Sequence, residues 1–224
     1  MKKRIRIDSA ILSSFIILTG FLYLFPRLYP QSFILNGVLY FLGQLFILKG
    51  VFLRMAARGH KKAFSKNGAG LVTTGPYAYV RNPMYLGTFL VGCGFILIVW
   101  PWWALSIFVI LFYLRFNRQI VIEEKHLNTL FGKSFADYCQ RVPRLFPAPS
   151  MWTTIHMRKT FIWQEIWSTK ERRTIFAWPL AAAVIESLKE KYVFHVVFVD
   201  QVIWLTVLAA IVYAVGLWYN YRKV

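Results

Sequence analysis

The apolar runs of this chain constrain its fold more than any other feature. Stretches at about residues 8–25, 33–53, 83–100, 102–120 and 193–218 each approach the ~20 residues that a helix needs to cross a bilayer. Hydrophobic residues make up 58% of the 224 and aromatic residues 18%, so a soluble domain around a single core is excluded. The expected fold is all-α: a multi-pass transmembrane helical protein of about five spans. A further run, Thr174 to Leu188, is shorter and contains Pro179 and Glu186; it is readable as interfacial, re-entrant or a sixth span. The first run follows basic residues, as in a signal peptide, but no A-x-A-like site comes after it, and it reads as a retained span.

Lysine and arginine set the expected orientation. Lys2, Lys3, Arg4 and Arg6 precede the first run, and Arg54, Arg58, Lys61, Lys62, Lys66 and Arg81 lie between the second and third, whereas the opposite connections hold only Arg27. The N-terminus and the loop before residue 83 are therefore expected in the cytoplasm. The net charge of +18 has the same origin, reinforced by attraction to anionic headgroups of membrane lipids. Nucleic acid is not an expected partner, because no recognition module is visible and the basic residues form no compact stripe. Cys93 lies in an apolar run and Cys139 on the cytoplasmic side, so no structural disulfide is expected. His60, His126, His156 and His195 lack metal-ligand spacing, and no metal site is expected.

No repeat or Gly/Ser-rich linker divides the chain, which reads as one membrane domain over 1–224. Residues 1–60 form an N-terminal transmembrane hairpin, 61–148 carry the polar motifs, and 149–224 hold interfacial helices and the last span. Residues 54–74 read as a polar approach loop with turns at Gly59, Asn67, Gly68 and Gly70. Trp100-Pro101-Trp102-Trp103 reads as a tight hairpin whose tryptophans join the interfacial belt. Beyond Pro149, Trp152, Arg158, Lys159, Trp163, Trp167, Lys170, Arg172 and Arg173 suit a helix lying on the membrane, as an anchor or as a lid over a lipid-entry gap.

Chemistry concentrates in two segments. The first, Gly75-Pro76-Tyr77-Ala78-Tyr79-Val80-Arg81-Asn82-Pro83-Met84-Tyr85-Leu86-Gly87, puts arginine, asparagine and tyrosines at the mouth of an apolar helix, with Asn82 as N-cap and Pro83 at the first helical position. The second runs from Glu123-Glu124 through Leu127, Phe131-Gly132 and Tyr138 to Arg141-Val142-Pro143-Arg144. Together the G-x-Y-x-x-x-R-(H/N)-P-x-Y-x-G and E-E-x-x-L-x-x-x-F-G-x-x-(Y/F)-x-x-Y-x-x-x-V-P patterns resemble the isoprenylcysteine carboxyl methyltransferase and phospholipid methyltransferase family of integral membrane enzymes. Asn82 stands where many members carry histidine, and Phe135 where tyrosine is usual.

The resemblance makes residues 61–148 a methyltransferase core and implies S-adenosyl-L-methionine as cofactor, with a small amphipathic or lipid-like acceptor methylated at oxygen, nitrogen or sulfur. It carries cofactor contacts onto Leu71, Val72, Tyr77, Asn82, Pro83, Met84, Tyr85 and Glu123. Backbone groups of Leu71 and Val72 suit adenine or the amino-acid moiety, the helix start after Pro83 suits a carboxylate, and tyrosine rings suit the sulfonium. Glu123 suits the ammonium or ribose hydroxyls. Arg81, Glu124 and Arg118 are the implied catalytic residues, with Glu124 pairing with Arg81 or orienting the acceptor; Arg118 is offset by one from the family's arginine, which aligns with Gln119. Glutamates that merely pair with neighbouring arginines are the structural alternative. Two other functions remain open: an NADPH-dependent membrane reductase of the sterol reductase type, and a non-catalytic binding or transport component.

Overall fold

The computed structural model describes residues 2–65, 70–147, 163–167 and 169–195. Among these, all regular structure is helical: α1 (Lys2–Tyr23), α2 (Phe33–Phe64), α3 (Pro83–Val99), α4 (Ala104–Phe131), α5 (Lys133–Arg141), α6 (Trp163–Trp167) and α7 (Thr174–Val193). Helices α2 and α4 are long and apolar enough to cross a membrane; α3 is as apolar but only 17 residues long. Along α4, Ile107, Ile110, Leu111 and Leu114 are each at least half exposed at helical spacing. Such a stripe is a liability in water and a fitting surface against lipid tails.

The helices begin and end where the backbone chemistry changes. Pro83 opens α3, and Trp100-Pro101 closes it, since proline has no N–H to continue the ladder. Lys61 and Lys62 occupy the last turn of α2, where cations complement the helix dipole. Gly132 separates α4 from α5 with a φ of 49°, a conformation that glycine adopts at least cost.

Several expectations from sequence shift here. Residues 54–64 are not a loop: α2 continues to Phe64, and Gly59 is buried within it because no residue in this stretch breaks a helix. Helix α4 likewise runs past the expected end at residue 120 to Phe131, and Glu123 and Glu124 lie within it. Trp102 and Trp103 are exposed as expected, whereas Trp100 turns inward, stacking on Phe15 at 5.0 Å and donating to Thr19 Oγ1 at 2.8 Å. Asn67, Gly68, Trp152, Arg158, Lys159, His156 and residues 196–218 of the expected span 193–218 lie outside the described residues.

The chain divides into two compact units. One comprises Met1–Gln44, Phe95–Leu105 and Phe176–Val224. Its core joins Leu22, Tyr29 and Val193, and it buries an ion pair on α7, Glu186 with Lys189 at 2.8 Å. Lys189 Nζ also donates to Ile98 O at 2.7 Å, and Tyr29 Oη donates to Val99 O at 3.4 Å, so two side chains take up orphan carbonyls at the end of α3. The second unit comprises Leu45–Gly94 and Ser106–Ile175 and holds every candidate site residue. Within it α2 and α3 touch backbone to backbone: a Cβ on Gly50 would lie 2.6 Å from Gly87 O, and one on Gly87 2.6 Å from Gly50 O. Small residues permit this closeness in membrane helix pairs.

Candidate active site

The segment leading into α3 is clamped from two sides. Gly75 combines a φ of 60° with a ring so near that a Cβ would sit 2.7 Å from His60, so glycine is required twice over. His60 is itself buried, its Nε2 is 2.9 Å from Thr74 Oγ1, and its ring packs on Phe64. From the other side Tyr138 of α5 donates its hydroxyl proton to the Tyr77 carbonyl at 2.6 Å. Burial pushes both phenols well above their ordinary pKa, with Glu123 adding to the rise at Tyr77. Both are therefore neutral at physiological pH, as a donating hydroxyl must be. Leu71 packs on the Phe135–Tyr138–Val142 cluster, and neither Leu71 nor Val72 takes a backbone hydrogen-bond partner among the described residues.

Arg81, Asn82 and Arg144 converge on one carboxylate. Glu124 is buried; its Oε1 lies 3.2 Å from Arg81 Nη1 and accepts from Asn82 Nδ2 at 3.2 Å, while Oε2 lies 2.9 Å from Arg144 Nη2. Burying a lone carboxylate costs several kcal/mol, and two guanidinium groups with an amide offset that cost. The local geometry is held by backbone too: Arg81 N donates to Pro143 O at 2.9 Å and Asn82 Nδ2 also reaches Arg144 O at 3.1 Å. Asn82's carbonyl accepts the first bonds of α3, but its side-chain amide is turned to Glu124 and Arg144. Two cations around one anion leave the cluster with a formal charge of +1. Arg81 Nη1 also contacts Cys139 Sγ at 2.8 Å, and Arg81 Nε is buried without a hydrogen-bond partner among the described residues.

Glu123, one residue earlier on the same helix, points elsewhere, as the ~100° step between successive helical residues requires. Its Oε1 accepts from Tyr85 Oη at 2.7 Å and from Gln119 Nε2 at 3.0 Å. The Tyr85 ring meets Phe116 edge-on at 5.5 Å. Phe116 leads into an apolar groove of about 330 Å³ formed with Phe112, Ile120, Leu145 and Phe146, with Asn117 and Arg144 at its polar margin.

The structure thus brings Arg81, Asn82 and Glu124 together, joins Tyr85 to Glu123, and ties Tyr77 to α5. Pro83 is buried at the start of α3, and Met84 half-buried beside it. Arg118 is not part of this set: it is exposed on α4 and makes no hydrogen bond or ion pair among the described residues. Three participants escape a motif reading: His60, Cys139 and Asn117, each brought in by the fold from outside the matched letters. Only Gln119 carried a local signal, its four-residue spacing from Glu123.

Residues 32–134 match the family described as phospholipid methyltransferase. The chain is also similar to the protein-S-isoprenylcysteine O-methyltransferase of Schizosaccharomyces pombe, 35% identical over 77 residues, 34% of this chain and 33% of that protein. The Saccharomyces cerevisiae enzyme of the same name is 32% identical over 129 residues, 54% of each chain. A shorter share, 12%, of the Delta(14)-sterol reductase LBR of Gallus gallus is 35% identical over 82 residues, 34% of this chain. The chain spans from a third to about half the length of the two yeast relatives. No solved structure matches it significantly.

Proposed function

This chain belongs to the isoprenylcysteine carboxyl methyltransferase and phospholipid methyltransferase family, and from that premise we propose that it methylates a carboxylate on a lipid-like acceptor at the cytoplasmic membrane face, with S-adenosylmethionine as donor. The observation that carries the choice of acceptor is the state of Glu124. Both of its oxygens are occupied, by Arg81 and Asn82 on one and Arg144 on the other. With both oxygens already engaged by donors, Glu124 is not placed to take a proton from an acceptor. An amine acceptor must lose a proton before attack, whereas a carboxylate needs no base. The cluster's formal charge of +1 likewise attracts an anion and repels an ammonium group.

The residues present suit the cofactor. The buried, unpartnered Nε of Arg81 is a donor left for a ligand, and the open backbone groups of Leu71 and Val72 offer further bonds. Only one oxygen of Glu123 is engaged among the described residues, which leaves the other for an ammonium or hydroxyl. When bound, S-adenosylmethionine supplies a sulfonium-activated methyl group for direct displacement. Tyr85, steered by Glu123 and Phe116, presents its ring near the mouth of α3, where a cation is favoured by the ring face. Arg81 and Arg144 orient the acceptor carboxylate, and the apolar groove beside Phe116 takes its hydrocarbon portion and excludes water. Holding both reactants in line is enough to supply about 7–11 kcal/mol of the barrier reduction.

The test is calorimetry of detergent-purified protein with S-adenosylhomocysteine, with NADPH as comparison, followed by methyl transfer to a prenylated cysteine, an aminophospholipid and a lipid thiol. Binding of S-adenosylhomocysteine and preference for the carboxylate is the expected result. Binding of NADPH in its place would support a reductase, and preference for the amine would overturn the reading of Glu124.

A further inference from the structure

Besides Glu186, a second buried carboxylate lies beyond both motifs and beyond the matched residues 32–134. Glu171 sits in a short 3-10 turn, Lys170–Arg173, that follows α6. It is 7% exposed, and a single oxygen, Oε1, receives Arg54 Nη2 at 2.9 Å and Arg58 Nη1. Its Oε2 is buried with no hydrogen-bond partner among the described residues, so the carboxylate depends on these two guanidinium groups to remain there. Ile166 and Thr169 are buried alongside, so residues 163–167 and 169–173 pack down as a strap rather than standing off the protein.

The strap reaches the site through Arg54. Its side chain lies across Gly87, with Cγ 2.6 Å from where a Cβ would be, and its Nη1 bonds Thr88 Oγ1, which in turn donates to Met84 O at 2.9 Å. Helices α2 and α3 touch here through Gly50 and Gly87, and two glycines allow close approach but offer no side chain to interlock. The polar link from Glu171 through Arg54 to Thr88 adds side-chain bonds beside that contact. We infer that Glu171 is a positioning residue for methyl transfer: by fastening the strap to Arg54 and Arg58 it holds the first turns of α3, and with them Met84 and Tyr85, in register for the cofactor. This inference rests on the cofactor reading above.

The experiment uses the full chain in detergent and compares wild type, Glu171→Gln and Arg58→Gln by two readouts. One is S-adenosylhomocysteine affinity, with the KM for cofactor and for acceptor. The other is the rate of tryptic cleavage after the exposed Arg172 and Arg173, which reports the strap whether or not a cofactor binds. Glu171→Gln is expected to weaken S-adenosylhomocysteine binding about tenfold, the scale of one lost charge-assisted bond, and to raise cleavage while leaving the acceptor KM within twofold. Arg58→Gln, which keeps Arg54 on Glu171, should shift both readouts in the same direction by less. The double variant should be no worse than Glu171→Gln, since both act through one link. Folded Glu171→Gln protein with unchanged affinity overturns the inference, whatever the cleavage rate. Wild-type protein that binds no S-adenosylhomocysteine sinks the cofactor reading and the inference with it, and the two failures are told apart by which protein fails. Should Glu171→Gln not fold, unchanged affinity in Arg58→Gln overturns the inference on its own.

Discussion

Two buried glutamates, one in each compact unit, are satisfied in opposite ways. Glu186 pairs with Lys189 three residues along its own helix, while Glu124 is held by Arg81, Asn82 and Arg144 from segments distant in sequence. A pair within one helix forms whenever that helix forms and serves the scaffold, here by bringing Lys189 to the last carbonyls of α3. A carboxylate assembled from three segments exists only in the complete fold, and that fold delivers surplus positive charge to one place. Burial alone therefore does not mark a site; the sequence distance between the partners is the better guide.

The comparison breaks first at its most expensive point. Lys189→Met would leave Glu186 buried without its cation and Ile98 O without a donor. Removal of one member of a buried pair costs about 3–5 kcal/mol, so thermal unfolding in detergent should show a large loss of stability. The protein that remains folded should bind S-adenosylhomocysteine as the wild type does. A fall in affinity matching the fall in stability would erase the distinction between scaffold and site.

Glu124→Gln is the converse. The amide keeps the shape but leaves Arg81 and Arg144 without a counter-charge, and Arg144 is partly solvated and bears this more easily. Turnover should fall on the order of a hundredfold, equivalent to about 2.7 kcal/mol at 1.36 kcal/mol per decade, with a smaller loss of stability than Lys189→Met causes. A variant that loses stability but turns over normally when folded would make Glu124 a second Glu186. Tyr85→Phe should do less. It removes one hydroxyl bond to Glu123, a loss of about 1–2 kcal/mol when the acceptor is charged, and should raise the cofactor KM several-fold with the ring contact to Phe116 intact.

How far the sequence already contained this contrast follows from what each part depends on. The helices were legible because apolar length and the proline and glycine breaks at Pro83, Pro101 and Gly132 act locally. Their ends at Phe64 and Phe131 were not, because polar residues of α2 and α4 find partners across the fold: Arg54 on Thr88 and Glu171, Glu123 on Tyr85. In the site, the two motifs supplied Arg81, Asn82, Tyr85, Glu123 and Glu124, whose side chains do meet. His60 and Glu171 took their roles from tertiary placement that no spacing announces. The same limit explains Arg118, where a one-residue offset on a helix turns the side chain by about 100° and sends it to a different face.

That offset yields the smallest expected effect and the sharpest check on the register of α4. Gln119, not Arg118, bonds Glu123, at 3.0 Å, while Arg118 is exposed and makes no hydrogen bond or ion pair among the described residues. Isolated surface charges contribute about 0–1 kcal/mol, so Arg118→Gln should leave cofactor KM and turnover within about twofold of wild type. Gln119→Ala should exceed it, because Glu123 then loses a donor that fixes the carboxylate under Tyr85. Parallel steady-state kinetics on the two variants read the difference directly. The reverse order, a large loss at Arg118 and none at Gln119, would mean that α4 presents its arginine to the substrate, and that the cationic cluster around Glu124 is only part of the charge the acceptor meets.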